Sequence, residues 1–243
     1  MIAVVGTRAA DDTALRAARE IAIAACQAGF AVVSGGAMGV DAAAHQGALE
    51  IGGRTVAVMA GAVDSPGPAR NSRLFAAMIG GGGALWSERP AGSKVVRASF
   101  PQRNRLIAAA AAAVVVVQAR ERSGSLSTAE HASRLGRPLL AVPGRWRDES
   151  RAGCNALLSA GACVVASPED LLRHLDRLGI SRPRPVEQVP LLAGPSDPAE
   201  AAVLQALESG AHHADEVARA TGLSARAVLV AISALELSGR WRP

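Results

Sequence analysis

The sequence predicts an α/β protein: a doubly wound domain with a mainly parallel sheet, followed by a small all-α, winged-helix-like module. Short apolar runs alternate with amphipathic helical runs along most of the chain. The apolar runs are continuous and do not alternate with polar residues, which is typical of parallel strands buried on both faces. A proline-rich stretch then separates these elements from a short C-terminal helical segment, so two domains are expected.

The predicted strands all lie in the first three quarters of the chain, which we assign to one domain over residues 1–178. Between the first two strands, residues 13–28 place Leu15, Ala18, Ile21 and Ala25 on one face of a helix. Helices that connect parallel strands in this way cover both faces of the sheet. The predicted strands are 2–5, 31–34, 55–59, 84–87, 113–118, 139–142 and 162–165.

Residues 179–198 contain five prolines and no helical periodicity, and we interpret them as a linker. Residues 199–243 then read as three helices. The last two resemble a helix-turn-helix, with Gly222 in the turn and Ser224 as the N-cap of the final helix. The terminal letters RWRP would begin a wing strand, and we expect that wing to be truncated.

The charge is concentrated in one part of the chain. The net charge is +5, and residues 89–120 carry six basic residues and no acidic one. Residues 199–243 carry four basic and five acidic residues, so the α/β domain is the basic one. A basic domain favours an anionic partner such as nucleic acid.

The cysteine pattern and the length of the apolar runs bear on the cellular compartment of the protein. The three cysteines form no CxxC pair, which favours a reduced, cytoplasmic protein and no zinc site. The apolar run 106–117 is shorter than the roughly 20 residues needed to span a bilayer, so no membrane segment is expected. No cofactor and no metal ion are expected either.

Four loops follow predicted strands and should meet at the carboxyl edge of the sheet, where such folds bind ligands. They read GTR, VSGGAMGVD, RASFPQRNRL and RSGSLSTAEHA. Glycines let a backbone approach a phosphate closely, and a helix that follows turns free N–H groups toward it. Arginines and small residues at one sheet edge therefore predict a phosphate site.

The spacing argues against two common alternatives. A dinucleotide-binding domain carries G-x-G-x-x-G after its first strand, whereas here the first turn reads GTRAAD and the second G-G-x-x-G. Catalysis has little support, because the acidic residues are scattered and Ser34 and His45 lack a third partner.

Several linked motifs over residues 1–175 resemble, in order, those of the DNA-processing protein A (DprA/Smf) family. They are IAVVGTR, VVSGGAMGVDAAAHQGAL, GGRTVAVMAGAVD, SFPQRNRLIAA, RSGSLSTAEHASRLGRPLLAVPG and GCNALLSAGA. The resemblance implies a Rossmann-like domain that binds single-stranded DNA without reading its sequence and forms a homodimer. It also implies protection of incoming strands and help in loading the RecA recombinase on them during natural transformation.

The resemblance also assigns roles to individual residues. Arg8 would hold a phosphate, Arg97 would supply a second cation, and Phe100 would stack on a base. Four residues after the second strand would form a backbone cradle: Ser34, Gly35, Gly36 and Gly39. The rest of the pocket would come from two further groups: Arg103, Asn104 and Arg105; and Ser123, Gly124 and Ser125.

The alternative is an enzyme of the same α/β superfamily, a nucleoside-monophosphate phosphoribohydrolase. Such enzymes carry a PGGxGTxxE-like loop with a catalytic glutamate. The corresponding stretch RSGSLSTAEHA lacks the proline and the glycine pair, although Glu130 is near. The C-terminal module offers few basic residues, so we expect it to pack against protein rather than read DNA.

Overall fold

The computed structural model describes residues 1–93, 95–182, 198–211, 213–237 and 241. The chain forms two compact units, Met1–Arg184 and Pro185–Pro243. Most of the predicted linker, residues 183–197, and the predicted wing after residue 237 fall outside the described residues, apart from Trp241.

The first unit is built on a seven-stranded sheet in which every pairing is parallel, as the sequence predicted. The strand order is β4-β3-β2-β1-β5-β6-β7. Strands β2 to β4 are added from β1 toward one edge of the sheet, and strands β5 to β7 are added toward the other edge, so the strand order reverses between β1 and β5. The predicted strand ends differ from the observed ones by at most two residues. The strands are β1 (Ile2–Val5), β2 (Val32–Ser34), β3 (Thr55–Val58), β4 (Ala84–Trp86), β5 (Ala113–Val116), β6 (Leu139–Ala141) and β7 (Cys163–Val164).

Within residues 1–93 and 95–182, seven α-helices flank this sheet. The first begins at an N-cap, Asp11, whose side chain accepts from the N–H of Ala14, and the last begins with a capping box at Ser167. Short 3₁₀ turns at Ala69–Asn71 and Glu149–Arg151 precede the third and sixth helices. The helices are α1 (Asp12–Gln27), α2 (Val40–Glu50), α3 (Ser72–Gly80), α4 (Ser99–Ala110), α5 (Leu126–Arg134), α6 (Ala152–Ser159) and α7 (Pro168–Arg177).

The strands β1, β2, β3 and β5 are buried on both faces of the sheet. Ile2 and Val4 pack into a core with α1, α2 and α7, whereas Ala3 and Val5 pack into a second core with α4, α5 and α6. Successive side chains of a strand point to opposite faces, so both sets must be apolar. This explains why the strands read as continuous apolar runs.

The described part of the second unit contains three helices, α8 (Pro198–Glu208), α9 (Ala214–Thr221) and α10 (Ala225–Leu237), around a small core that includes Val217 and Leu235. Gly222 ends α9 in the left-handed conformation, at φ +69°, and the hydroxyl of Ser224 accepts from the N–H of Ala227. Among the described residues, no single helix could cross a membrane by length and composition; α9 and α10 could do so only as a pair, which is bent by 108°.

Candidate nucleic-acid interface

The loops after β1 and β5 and the first turns of α4 enclose a pocket of about 380 Å³ at the carboxyl edge of the sheet. It lies where the strand order reverses, which is the usual ligand site of such sheets. The lining combines glycine and hydroxyl groups with charged and aromatic groups. The lining residues include Thr7, Arg8, Ala37, Asp41, Phe100, Arg103, Asn104, Ser123, Gly124, Ser125 and Thr128.

Arg8 and Phe100 stand together at this pocket although 92 positions separate them. The guanidinium carbon of Arg8 lies 4.6 Å from the centroid of the Phe100 ring, which is a cation–π contact. Arg8 is exposed and Phe100 is half-buried. The structure therefore presents a solvent-facing cation directly beside an aromatic surface, as a strand with phosphates and bases requires.

The loop before α5 supplies small polar groups to the same pocket. The hydroxyls of Ser123 and Ser125 lie 2.7 Å apart, and the N–H of Ser125 donates to the Ser123 hydroxyl at 3.4 Å. Gly124 lies between them, and a Cβ there would meet nothing within 4 Å. This loop leads into the N-terminus of α5, the positive end of the helix dipole, so the sequence-predicted residues here do come together in a setting that suits an anion.

The glycine turn after β2 does not offer the open cradle that the sequence predicted. The N–H of Ala37 donates to the carboxylate of Asp41 at 3.2 Å, and the N–H of Val40 donates to the carbonyl of Thr7 at 3.2 Å. The carboxylate of Asp41, in the first turn of α2, thus stands where a phosphate was expected. Burial raises the pKa of Asp41, and the nearby charge of Arg103 opposes that shift.

The glycines of this turn are instead needed for close packing. A Cβ on Gly35 would lie 2.6 Å from both Arg103 Nη2 and Asp41 Oδ2, and one on Gly39 would lie 2.4 Å from the carbonyl oxygen of Thr7. Gly36, at φ +68°, offers its carbonyl to the Asn71 side chain at 2.9 Å. Gly35 and Gly39 therefore admit neighbouring groups that a Cβ would exclude, and the positive φ of Gly36 favours glycine.

Ser34 is also placed differently from the prediction. It is fully buried at the end of β2, and its hydroxyl donates to the carbonyl of Val4 at 2.6 Å. Its side chain therefore links two strands within the sheet and does not line the pocket.

Arg103 and Asn104 lie on α4 and line the pocket, but their polar groups bind the protein itself. Arg103 Nη1 donates to the carbonyl of Gly35 at 2.5 Å and also to that of Val58, and its Nε donates to Asn104 Oδ1 at 3.2 Å. Burial lowers the pKa of Arg103, and Asp41 opposes this shift. Arg103 is only 7% exposed. Its guanidinium therefore forms the floor of the pocket rather than a free phosphate contact.

Asn104 connects the same helix to the serine loop. Its Nδ2 donates to the carbonyl of Gly124 at 3.1 Å and to the hydroxyl of Ser127 at 2.7 Å. The sequence does not indicate that Arg103 and Asn104 hold other loops in position, because their hydrogen-bond partners lie far away in the chain. The role predicted for Asn104 within the pocket becomes one of positioning.

The structure does not bring Arg97 and Arg105 into this pocket. Arg105 forms an exposed ion pair with Glu88, with Nη2 2.6 Å from Oε1, and faces a separate pocket beside Arg89. Arg97 is exposed just before α4 and lines none of the pockets described for this edge. Both remain basic groups near the site but outside its lining.

Asp11, at the end of the loop after β1, forms a polar cluster with Gln118 and Arg151 that the sequence did not predict. Arg151 Nη1 lies 2.7 Å from Asp11 Oδ2, and Gln118 Nε2 donates to the same oxygen at 2.9 Å. Hydrogen bonding to Arg151 lowers the pKa of Asp11 to about 2. The three residues are far apart in sequence and have no shared motif, so no local signal marks them. No group of three or more His, Cys, Asp or Glu side chains in the described part of the chain is placed to hold a metal ion.

Two protein families and several known proteins are similar to this chain. The family model for DNA recombination-mediator protein A matches residues 1–176, and that for the DprA winged helix domain matches residues 184–242. A putative DNA processing protein DprA from Mycobacterium tuberculosis is 42% identical over 251 residues, covering 99% of this chain and 63% of the relative. DprA from Streptococcus pneumoniae is 38% identical over 72% of this chain and 61% of the relative. The chain therefore spans somewhat less than two thirds of the length of these relatives.

Solved structures give the same assignment. Crystallographic DprA from Streptococcus pneumoniae superposes with a TM-score of 0.65 at 37% identity, over 71% of this chain and 60% of that one. DNA processing protein A from Helicobacter pylori, whose structure was described for its mode of binding single-stranded DNA, superposes with a TM-score of 0.65 at 29% identity, over 72% of this chain and 80% of that one. The motif order, the parallel sheet and the two family matches agree, and the chain belongs to the DNA recombination-mediator protein A (DprA) family.

Proposed function

We propose that this protein binds single-stranded DNA without reading its sequence, through the pocket between the β1 loop, α4 and the serine loop. The observation that carries the proposal is the exposed Arg8 guanidinium 4.6 Å from the Phe100 ring, beside the hydroxyls of Ser123 and Ser125. The Helicobacter pylori structure, described for binding single-stranded DNA, supports it.

Each side chain has a distinct part in this mechanism. Arg8 pairs with a phosphate, and the Ser123 and Ser125 hydroxyls donate to its oxygens. Phe100 provides an apolar surface for a base. The buried cation of Arg103 adds positive potential below the phosphate. Contacts of this kind reach the backbone and base faces but not the base edges that carry the sequence.

Binding of a labelled dT strand and of a duplex of the same length tests this proposal. With about four phosphates neutralised, the slope of log affinity against log salt for the single strand should be near −3. Arg8→Ala should weaken binding to every single-stranded sequence alike. Arg177→Ala, which removes an exposed arginine at the end of α7, is the matched control. Equal affinity in the two variants would contradict the role of Arg8.

Arg97 and Arg105 enter the proposal as contacts outside the pocket. Arg97 is exposed just before α4, and we propose that it contacts a neighbouring phosphate of the bound strand. Arg105 must first exchange Glu88 for a phosphate. We therefore expect both to contribute less than Arg8.

In the cell, we propose that the bound strand is protected and passed to the RecA recombinase during transformation and recombination, a cytoplasmic process. Membership of the recombination-mediator family supports this role. Two assays test it: resistance of a bound strand to an exonuclease, and RecA filament growth on a strand already coated with single-strand-binding protein. Filament growth that is no faster with the protein present would contradict loading.

We also propose a homodimer formed by the α/β unit. Its sheet has two edge strands, β4 and β7, with Trp86 45% and Val164 47% exposed. An open edge can pair with the edge of a second copy. Light scattering at tens of micromolar should give twice the monomer mass, and Trp86→Lys and Val164→Lys should show which edge is used. A monomer in the parent protein would refute the proposal.

No observation favours the phosphoribohydrolase alternative. Glu130, the candidate catalytic carboxylate, is exposed on α5 and does not line the pocket. The carboxylate that does line it, Asp41, is buried and accepts from the N–H of Ala37. Release of free adenine on incubation with AMP would nevertheless establish the enzyme.

For the C-terminal unit we propose a protein-packing role. Its α10 exposes Leu229 and Val230, at 56% and 64%, where a DNA-reading helix carries basic and polar groups. Deleting residues 199–243 should leave affinity for single-stranded DNA within a few-fold. Tight duplex binding by the full chain that is lost on this deletion would show that the unit reads DNA.

A further inference from the structure

The loop after β6 carries a highly exposed tryptophan. Trp146 is 87% exposed, and it is one of only three tryptophans in the chain. It belongs to the stretch RWRDESRA, residues 145–152, which lies between two of the motifs that the chain shares with its family. At this exposure the ring contributes little to the hydrophobic core, so a role at the surface is expected.

Hydrogen bonds fix the backbone on both sides of this tryptophan. The N–H of Gly144 donates to Asn155 Oδ1 at 3.0 Å, and Asn155 Nδ2 donates back to the carbonyl of Gly144 at 3.3 Å and to that of Arg145 at 3.4 Å. The N–H of Asp148 donates to the carbonyl of Arg145 at 3.0 Å, which closes a turn around Trp146. The ring therefore projects from an ordered turn, so binding a ligand there costs little further ordering of the backbone.

Arginines flank the ring on both sides in the chain. The guanidinium carbon of Arg147 lies 5.2 Å from the ring centroid, and Arg145 is exposed. Among the residues that the structure describes, neither guanidinium forms an ion pair. Of the two acidic residues that follow, Asp148 already pairs with Arg151 at 2.9 Å, and Glu149 is exposed. Two unpaired cations beside an aromatic ring suit a partner that carries both anionic and aromatic groups.

The proposed Arg8 phosphate site lies at the same edge of the sheet. The loops after β1 and β6 both leave the carboxyl ends of parallel strands, and only β5 lies between those two strands. Neighbouring strands are about 4.8 Å apart, so β1 and β6 are separated by about 10 Å. Arg151 Nη1, 2.7 Å from Asp11 Oδ2, joins the two loops. A strand held at Arg8 therefore needs only a few further nucleotides, at about 3.4 Å or more each, to reach the loop after β6.

We propose that Trp146 stacks on a nucleobase of the bound single strand outside the pocket, while Arg145 and Arg147 contact the adjoining phosphates. The proposal rests on the proposed binding of single-stranded DNA and extends the bound strand from the β1 loop to the β6 loop. Stacking uses the face of a base, which every base has, so the contact keeps binding independent of sequence. A protein partner is less well matched, because the ring stands between arginines. The nearest other exposed large hydrophobic residues along the chain are Leu135 and Val164.

Fluorescence of Trp146 measures the stacking directly. Trp86→Phe together with Trp241→Phe leaves Trp146 as the single tryptophan of the chain. A dT strand of about 20 nucleotides, longer than a typical single-strand site, should quench its emission. A strand of the same length made only of abasic tetrahydrofuran residues keeps the phosphates and removes every base, and it should quench far less at saturation. Emission that does not change at saturating dT would overturn the proposal.

Affinity measurements test the same contact by mutation. Trp146→Ala should weaken binding of the dT strand roughly 5- to 150-fold and leave affinity for the abasic strand unchanged. Trp146→Phe, the matched control, keeps an aromatic ring and should stay closer to the parent. Because the side chain is exposed, neither change should alter thermal melting. Arg147→Ala should weaken binding of both strands and reduce the magnitude of the salt slope by about 0.7, the value for one phosphate.

The outcomes separate this proposal from the one it rests on. A parent protein that does not bind the dT strand would refute single-strand binding itself. Binding that Arg8→Ala weakens but that is equal in the parent and in Trp146→Ala would overturn the Trp146 contact alone, and would favour a protein contact for the ring. An equal loss of affinity for the dT and the abasic strand in Trp146→Ala would show that the ring does not contact a base, and would also overturn the proposal.

Discussion

His45 should make the stability of the α/β unit fall as the solution becomes acidic. This residue is fully buried in α2, with Nδ1 2.7 Å from the Thr55 hydroxyl. Because that hydroxyl donates to the carbonyl of Val32, it accepts from Nδ1–H of a neutral imidazole. Nε2 has no hydrogen-bond partner within the part of the chain that the structure describes. Burial, and then the charge of Arg103, lower the pKa of His45 from 6.5 to about 3.

The sign and the size of this change in unfolding free energy follow from proton linkage. A base whose pKa is lower in the folded state takes up its proton preferentially in the unfolded chain once the pH falls below 6.5. The loss grows by about 1.4 kcal/mol per pH unit and continues until the folded pKa is reached. At about pH 5, the His45 contribution should be about 2 kcal/mol smaller than at neutral and higher pH.

Urea unfolding at about pH 7.5 and about pH 5 measures this difference. Trp241→Phe is introduced first, so that fluorescence reports Trp86 and Trp146 of the α/β unit. In this background, His45→Asn keeps an N–H donor near Thr55 but cannot titrate. The His45→Asn variant should be less stable than its parent at both pH values. Between the two pH values, its unfolding free energy should fall by about 2 kcal/mol less than that of the parent.

Two features make the comparison specific. Asp41, whose pKa is raised by burial, titrates in both proteins, so its contribution cancels in the difference. His131→Asn, on α5, removes a partly exposed histidine and is measured under the same conditions as the control for loss of a histidine side chain. An equal loss of unfolding free energy in the parent and in His45→Asn would refute the reasoning.

Other predictions concern the glycine turn and the neighbouring ion pair. Gly39→Ala should destabilise the protein by more than about 1–3 kcal/mol, because φ is +78° and its Cβ would contact the Thr7 carbonyl; Gly124→Ala has open space and should cost little in thermal melting. Arg105→Ala should weaken single-strand binding less than Arg8→Ala, since Glu88 already pairs with Arg105. Glu88→Gln should strengthen binding at low salt, and unchanged affinity there would show that Arg105 does not contact the strand.

The sheet could be predicted from the sequence because burial on both faces leaves a local mark. The runs IAVV and AVVV contain no polar residue, and short, continuously apolar runs are typical of strands buried on both faces. The turn at Gly222 was equally local, since a left-handed residue between two helices favours glycine. Signals confined to one segment were therefore sufficient for the fold.

The candidate site could be predicted only in part, because its contacts join distant segments. A G-G-x-x-G turn suits a phosphate and a carboxylate equally, so the sequence could not show that Asp41 occupies it. Arg103 reads as a surface cation, and its burial depends on carbonyls supplied by the ends of β2 and β3. Arg8 and Phe100 were both predicted, but not that one covers the ring of the other.

The adjacent positions Arg103 and Asn104 give α4 a mechanical role at this edge of the sheet. One side chain is attached to the glycine turn and the end of β3, the other to the serine loop. Both loops are thus hydrogen-bonded to the same turn of α4. The glycine turn and the serine loop, about 90 residues apart in the chain, are therefore held in place by hydrogen bonds to the same turn of α4.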